Sequence, residues 1–296
     1  MLRMTNETQR ALAAALRARH RDGPIIVLPN AHDVVSARIA AARGPVAIGT
    51  TSAGMAWAAG YPDGERIPRE EMLAAVERVV RAVDVGVTAD LEAGYGDTPE
   101  AAADTAAAAI EIGVVGLNLQ DTGQPGSTYA DGLLPIELAA EKIAAVRDVA
   151  EREGIELAIN ARTDVFLFGH GDDDSRIEEA ARRGRAYLDA GADCAFVPGA
   201  VDADTIARLV AAIDGPINVY ALPGVPPVSE LNRLGVRRVS VGCGPYQACL
   251  RLLEEATAEL LERGTYDTFT AAHLPYPDVQ QLLVAGAGQA AEQTHV

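Results

Sequence analysis

Two carboxylates stand one residue apart in Val87-Thr88-Ala89-Asp90-Leu91-Glu92, and the segment breaks directly afterwards at Gly94-Tyr95-Gly96-Asp97. On a strand alternate residues share a face, so Asp90 and Glu92 are expected to point the same way, with Leu91 opposite. Neighbouring carboxylates repel each other unless a proton or a cation compensates them. Hard carboxylate oxygens that leave room for water suit Mg²⁺, with Mn²⁺ as a substitute. The plainer alternative is a pair of solvated acids at a strand-end turn, where acids are common.

Other polar groups fall at comparable places. Asn118-Leu119-Gln120-Asp121 puts polar side chains on alternate positions, and Asn160-Ala161-Arg162-Thr163-Asp164 ends a run with a guanidinium. Arg162 can grip a carboxylate or phosphoryl group with two parallel hydrogen bonds, or it can pair with Asp164 or Asp121 at the rim. Thr50-Thr51-Ser52-Ala53-Gly54 offers small residues whose amides can approach an anion, although an ordinary turn would look the same. Asp63, in Gly60-Tyr61-Pro62-Asp63-Gly64, can fold back onto a metal or simply serve its turn. His32 and His170 lack a partner at metal-ligand spacing and read as structural. No G-x-S-x-G, H-E-x-x-H or Walker pattern occurs, which excludes the common serine hydrolase, zinc peptidase and nucleotide-binding signatures.

These groups need elements that bring them together. Short β-branched runs recur at Ile25–Leu28, Val46–Thr51, Gly86–Leu91, Val114–Leu119, Leu157–Asn160, Cys194–Val197, Ile217–Ala221 and Val236–Val241. Ala-, Glu- and Arg-rich stretches with helical periodicity separate them: Arg69–Val83, Pro99–Ile112, Ile136–Arg152, Ser175–Ala190 and Asp202–Ile213. Thr98-Pro99-Glu100 is a helix start, and Gly113, Gly154 and Gly191 lie where helices should stop. Eight strands, each followed by a helix, predict an α/β (β/α)₈ TIM barrel, whose active site lies at the C-terminal strand ends. We expect one barrel over residues 1–264 with an N-terminal helix and a last helix near Pro245–Arg263. The tail, 265–296, should pack on the barrel or on a neighbouring subunit.

Composition agrees. Among 296 residues 49% are hydrophobic but only 4% aromatic, so the core must come from Ala, Val, Leu and Ile, as in a layered barrel interior. A net charge of −17 repels a phosphate backbone, which excludes nucleic acid as a partner. Cys194, Cys243 and Cys249 show neither zinc spacing nor a disulfide framework and read as reduced thiols. No apolar run is long enough to span a membrane and the N-terminus has no apolar export segment, so a cytoplasmic protein is expected.

Asp90-Leu91-Glu92-Ala93-Gly94-Tyr95-Gly96 resembles the D-x-D-x-G-Y-G signature of the isocitrate lyase/phosphoenolpyruvate mutase superfamily. Pro29-Asn30-Ala31-His32-Asp33 with Ser36-Ala37-Arg38 is similar to its P-G-x-x-D-x-x-S-A-R entry segment, and further matches follow in order over roughly residues 20–260. The resemblance implies a barrel that assembles as a dimer or tetramer by exchanging its last helix. It also implies Mg²⁺ and a small 2-oxo acid substrate, or a phosphono analogue. By position, Asp90 would be the direct metal ligand, with Asp63, Glu92 and Gln120 holding its waters. Thr51, Ser52, Ala53 and Asp90 would contact substrate, and Arg162 would bind its anionic end. A cation chelated by the 2-oxo acid would stabilise the enolate left when the adjacent C–C bond breaks.

The match is incomplete where the family handles protons. The lyases carry Lys-Lys-Cys-Gly-His after the fourth strand; here the loop reads Thr122-Gly123-Gln124-Pro125-Gly126-Ser127-Thr128-Tyr129. Pro198 stands where the phosphonate branches place a histidine, and Gln120 where the family has glutamate. Tyr95 and Tyr129 are the candidate proton donors. The resemblance therefore implies a Mg²⁺-dependent lyase or decarboxylase of a small 2-oxo acid, a dicarboxylate being the first expectation. P–C bond chemistry and a non-catalytic 2-oxo acid binder are the alternatives.

Overall fold

A computed structural model of the chain describes residues 6–292 apart from 124, 125, 127, 131 and 170. The strands are β1 (Ile26–Leu28), β2 (Asn30–Ala31), β3 (Ala47–Thr50), β4 (Gly86–Asp90), β5 (Gly116–Gln120), β6 (Ala158–Arg162), β7 (Cys194–Phe196), β8 (Ile217–Tyr220) and β9 (Arg238–Ser240). From β2 to β9 each strand pairs in parallel with the next, and β1 pairs in parallel with β9 instead of with β2. The ring closes because β1 and β2 are one stave broken at Pro29, which has no N–H for the ladder. Its carbonyl still accepts from the Gly49 amide at 2.9 Å. The eight expected strands are thus eight staves, the first in two pieces.

Asn30 laces that break. Its Oδ1 accepts from the amides of Val241 and Gly242, each at 2.9 Å, and its Nδ2 donates to the Thr50 carbonyl at 2.8 Å. One side chain therefore joins the first, second and last staves at the rim.

The outer layer holds α1 (Asn6–Arg21), α2 (Val34–Ala41), α3 (Ser52–Ala58), α4 (Arg69–Val80), α5 (Pro99–Glu111), α6 (Ile136–Arg152) and α7 (Val165–Phe168). It continues with α8 (Asp173–Asp189), α9 (Ala203–Ile213) and α10 (Val228–Leu234). The expected start of α5 is present: Thr98 accepts from the Ala101 amide at 3.2 Å, ahead of Pro99. α1 packs beneath the barrel, burying Ala13 and Leu16, while Gln9 donates to the carbonyls of Ile110 and Val114. The two core clusters are Ala, Val, Leu and Ile almost throughout.

α11 (Gly244–Arg263) behaves differently. It leaves the rim and packs chiefly against α12 (Asp267–Ala272), with Leu253 63% and Leu261 79% exposed. On the first stave, Val27 is 49% exposed, so part of the barrel's outer wall is left uncovered by the helices of the described residues. α13 (Tyr276–Glu292) returns to lie against α2, where Arg38 donates to the Leu282 carbonyl at 2.6 Å. No helix among the described residues is long and apolar enough to cross a membrane.

Candidate active site

β4 delivers Asp90 to the C-terminal mouth of the barrel and ends there. Its amide donates to Thr50 Oγ1 at 2.9 Å. Ser52, the first residue of α3, donates to Asp90 Oδ2 twice, from its amide at 3.1 Å and its hydroxyl at 2.8 Å. Those bonds hold the carboxylate still. The other oxygen, Oδ1, is buried and receives no donor among the described residues.

Glu92 is not on the strand. It has φ of 51°, in the left-handed region, so the two-residue alternation expected from the sequence stops at Asp90. The turn still buries the Glu92 side chain near the same acids. Oε2 accepts from the Glu65 amide at 2.8 Å, whereas Oε1 is buried without a donor among the described residues. Burial, then Asp63 and Asp90, raises its pKa to about 8. Glu65, at φ 56°, answers the contact by accepting from the amides of Ala93 at 2.8 Å and Tyr95 at 2.9 Å. This latch ties the 60–65 loop to the loop after β4. Its only trace in the sequence is an acid two places beyond Asp63.

Asp63, Asp90 and Arg162 carry the charge around a cavity of about 140 Å³. Liquid water takes about 30 Å³ per molecule, so this space suits a small organic acid. Burial and the Asp90 carboxylate raise the Asp63 pKa, while Arg162 lowers it. Thr51, Ser52 and Ala53 form the cavity edge. Ser52 spends both its donors on Asp90, and Thr51 caps α3 by accepting from the Gly54 amide at 3.4 Å. Gln120 ends β5 in register with Arg162, lies outside this lining, and donates its amide to the Glu92 carbonyl at 2.8 Å. The β5 side chain in the cavity is instead Asn118, two residues earlier, whose Oδ1 accepts from Asn160 at 2.8 Å and from the buried Arg238 at 3.4 Å.

Arg162 makes the rim ion pair with Asp164 and also borders the cavity. Its Nε donates to Asp164 Oδ1 at 2.6 Å, and the guanidinium faces the cavity with its Cζ 5.9 Å from the Phe196 ring centre. Asp164 is itself held: its amide donates to Asp121 Oδ1 at 3.0 Å, and Thr122 Oγ1 donates to its Oδ2. Asp121 in turn accepts from Arg183 at 3.0 Å and Tyr187 at 2.7 Å on α8. A buried network thus aims the guanidinium.

The tyrosines separate. The Tyr95 hydroxyl is buried outside the cavity lining, without a partner among the described residues, and burial and the surrounding acids raise its pKa. Tyr129 lies in the loop after β5 and receives the Gly132 amide on its carbonyl at 3.0 Å. Tyr220 does line the cavity, on β8, four staves round from β4 and so opposite Asp90. Its hydroxyl is 3.6 Å from Cys243 Sγ, and burial and that contact raise its pKa. A polar–apolar alternation, Asn218-Val219-Tyr220, was its signal in the sequence. His32 stacks on Tyr246 with ring centres 4.0 Å apart, a structural contact, and His170 lies outside the described residues.

A family profile described as phosphoenolpyruvate phosphomutase matches residues 16–261. The chain belongs to that family. With it comes membership of the isocitrate lyase/phosphoenolpyruvate mutase superfamily of lyases and mutases, and this family member is an enzyme. An uncharacterised protein of Mycobacterium tuberculosis is 38% identical over 266 residues, 90% of this chain and 94% of its own. Oxaloacetate decarboxylase 2 of Pseudomonas putida is 31% identical over 232 residues, 77% of this chain and 74% of its own. A crystal structure from Burkholderia cenocepacia, provisionally described as a lyase/mutase, superposes with a TM-score of 0.84 at 36% identity, covering 93% of this chain and 96% of that one.

Proposed function

We propose that this enzyme is a Mg²⁺-dependent lyase or decarboxylase that breaks a C–C bond beside the carbonyl of a small 2-oxo acid. The observation that carries the reading is Asp90: one oxygen is locked by Ser52, and the other is buried, undonated and next to the cavity. Glu92 Oε1 repeats the pattern nearby. Such oxygens fit a hard divalent cation. Among the described residues no group of three or more His, Cys, Asp or Glu side chains could by itself hold a metal ion, so an ion here would draw most of its ligands from water and substrate. Asp90 would hold the ion directly, with Asp63 and Glu92 supporting its waters, and Mn²⁺ would substitute. When bound, it supplies Lewis-acid stabilisation of negative charge developing on the carbonyl oxygen.

The chain's own groups do the rest. Arg162, oriented by Asp164, grips the substrate carboxylate, and Thr51, Ser52 and Ala53 form the opposite edge of its seat. As the bond breaks, its electron pair moves into the 2-oxo group as an enolate, and the other carbon leaves as carbon dioxide from a carboxylate on C3, or as a carbonyl compound from a hydroxylated carbon there that releases its O–H proton to solvent. Tyr220, kept protonated by burial, gives its hydroxyl proton to the carbon from the wall facing Asp90. Asp90→Asn tests the reading. The variant should fold with unchanged circular dichroism, lose Mn²⁺ binding by electron paramagnetic resonance, and lose Mg²⁺-dependent turnover in an NMR screen of 2-oxo acids. Unchanged turnover would refute it.

We also propose that α11 covers the barrel wall of a second copy. The apolar side chains of α11 and the bare Val27 are two halves of one unburied surface, and a homo-oligomer that exchanges the helix buries both. The separate packing of α11 and α13 supports treating 1–264 as the barrel unit and 265–296 as an appended tail. Three free thiols suit the reducing cytoplasm.

A further inference from the structure

Asn118 lines the cavity from β5, paired across the ladder with Asp90 on β4. Its Oδ1 is occupied: Asn160 Nδ2 donates to it at 2.8 Å and Arg238 Nη2 at 3.4 Å. Two asparagines alone could exchange roles, because the two ends of an amide have nearly the same shape. Arg238 removes that freedom. A guanidinium carries donors and no acceptor, so the end of Asn118 that faces it must be the oxygen. Arg238 is 1% exposed, and its Nε and Nη1 have no partner among the described residues. Turning the Asn118 amide over would set N–H against N–H and take an acceptor from a buried cation already short of them. Asn118 Nδ2, by contrast, meets no acceptor among the described residues and is not sealed from solvent, so it is the end that reaches the cavity.

The other neutral polar groups of the lining are committed elsewhere. Asn30 laces the first stave, Ser52 holds Asp90, and Ser240 exchanges contacts with Asn218 at 3.2 and 3.4 Å. Thr51 caps α3, and the Tyr220 hydroxyl faces Cys243 Sγ. We propose that Asn118 donates a hydrogen bond to the substrate's 2-oxo oxygen and holds the enolate that forms there, with Arg238 as the positioning residue that keeps its amide turned to the cavity. The inference rests on the 2-oxo acid reading above and adds a neutral donor beside the cation that Asp90 would hold. Adjacent strands run about 4.8 Å apart, so an oxygen drawn to a cation on Asp90 comes to the wall that Asn118 shares. A fixed donor strengthens its bond as charge grows on that oxygen. It serves either leaving group, carbon dioxide or a carbonyl compound, because both leave the same enolate.

Calorimetry in Mg²⁺ tests this with two probes: pyruvate, whose 2-oxo oxygen is neutral, and oxalate, which places a charged oxygen at the same position. Asn118→Ala should weaken oxalate by about 10- to 100-fold and pyruvate by only a fewfold, with unchanged circular dichroism. Arg238→Gln offers the amide an acceptor, lets Asn118 turn over, and should lose the same preference in smaller measure. Arg238→Lys, again a donor without an acceptor, should keep it. Added to Asn118→Ala, Arg238→Gln should change little further, because both act through one amide. The Arg238 variants leave Asn118 in place, so they test the inference even if Asn118→Ala does not fold. Equal loss of both probes in Asn118→Ala, an unmoved preference in Arg238→Gln, or full additivity in the double variant overturns the inference. Should oxalate fail to bind the unaltered protein in Mg²⁺, the 2-oxo acid reading itself falls, and the inference with it. Should oxalate bind and Asn118→Ala leave it unmoved, that reading stands and only the role of Asn118 is lost.

Discussion

Glu92→Gln should flatten the pH dependence of stability in the metal-free protein. Glu92 is 2% exposed, and burial with the nearby Asp63 and Asp90 raises its carboxyl from 4.5 to about 8. Between those values the folded chain keeps a proton that the unfolded chain releases. Its contribution is therefore fully present below the unfolded value, declines as pH rises, and is gone once pH passes the folded value. Each tenfold change in proton affinity corresponds to about 1.4 kcal/mol. The rise from 4.5 to about 8 then has a ceiling of about 5 kcal/mol, of which about 3 kcal/mol falls between pH 5.5 and alkaline pH. Urea unfolding in EDTA at about pH 5.5 and about pH 9 reads this directly. The unaltered protein should lose about 3 kcal/mol more than Glu92→Gln between the two conditions. Mg²⁺ at about a hundred times its Kd should restore about 2.7 kcal/mol at the higher pH. Parallel pH profiles for the two proteins would refute the buried, uncompensated acid on which the metal assignment leans.

Three further outcomes follow from the same geometry. Tyr220→Phe should lower kcat by about 10²–10⁴ while leaving substrate affinity within a fewfold, read by steady-state kinetics and calorimetry together. Asp164→Asn takes the charge out of the 2.6 Å contact that aims Arg162 and should raise KM more than it lowers kcat. It should also cost stability, about 3 kcal/mol, because the Arg162–Asp164 pair is largely buried; chemical denaturation measures this part. If α11 is exchanged as proposed, the double variant Leu253→Glu with Leu261→Glu should reduce the particle mass in light scattering to that of one chain without unfolding the barrel. An unaltered particle mass would show that α11 is not an interface.

The alternation of β-branched runs with Ala-rich helices was sufficient to read a (β/α)₈ barrel, because each strand and helix carries its own periodic pattern. Asp90 was legible for the same reason, since a strand end in such a barrel is by construction the mouth of the site. Arg162 was legible too, but only the fold showed that Asp164 holds it while it still faces the cavity. Other assignments depended on backbone geometry that no spacing encodes. The left-handed turn at Glu92 takes it off the strand face and sets it against Glu65, and the stagger of the staves brings Asn118 into the cavity and leaves Gln120 outside its lining. Tyr220 lies 130 residues beyond Asp90 in the chain, and only closing the ring places them opposite each other. Local sequence thus determined the elements and the residue types at their ends. Tertiary structure decided which ends meet, because register and closure are properties of the whole ring.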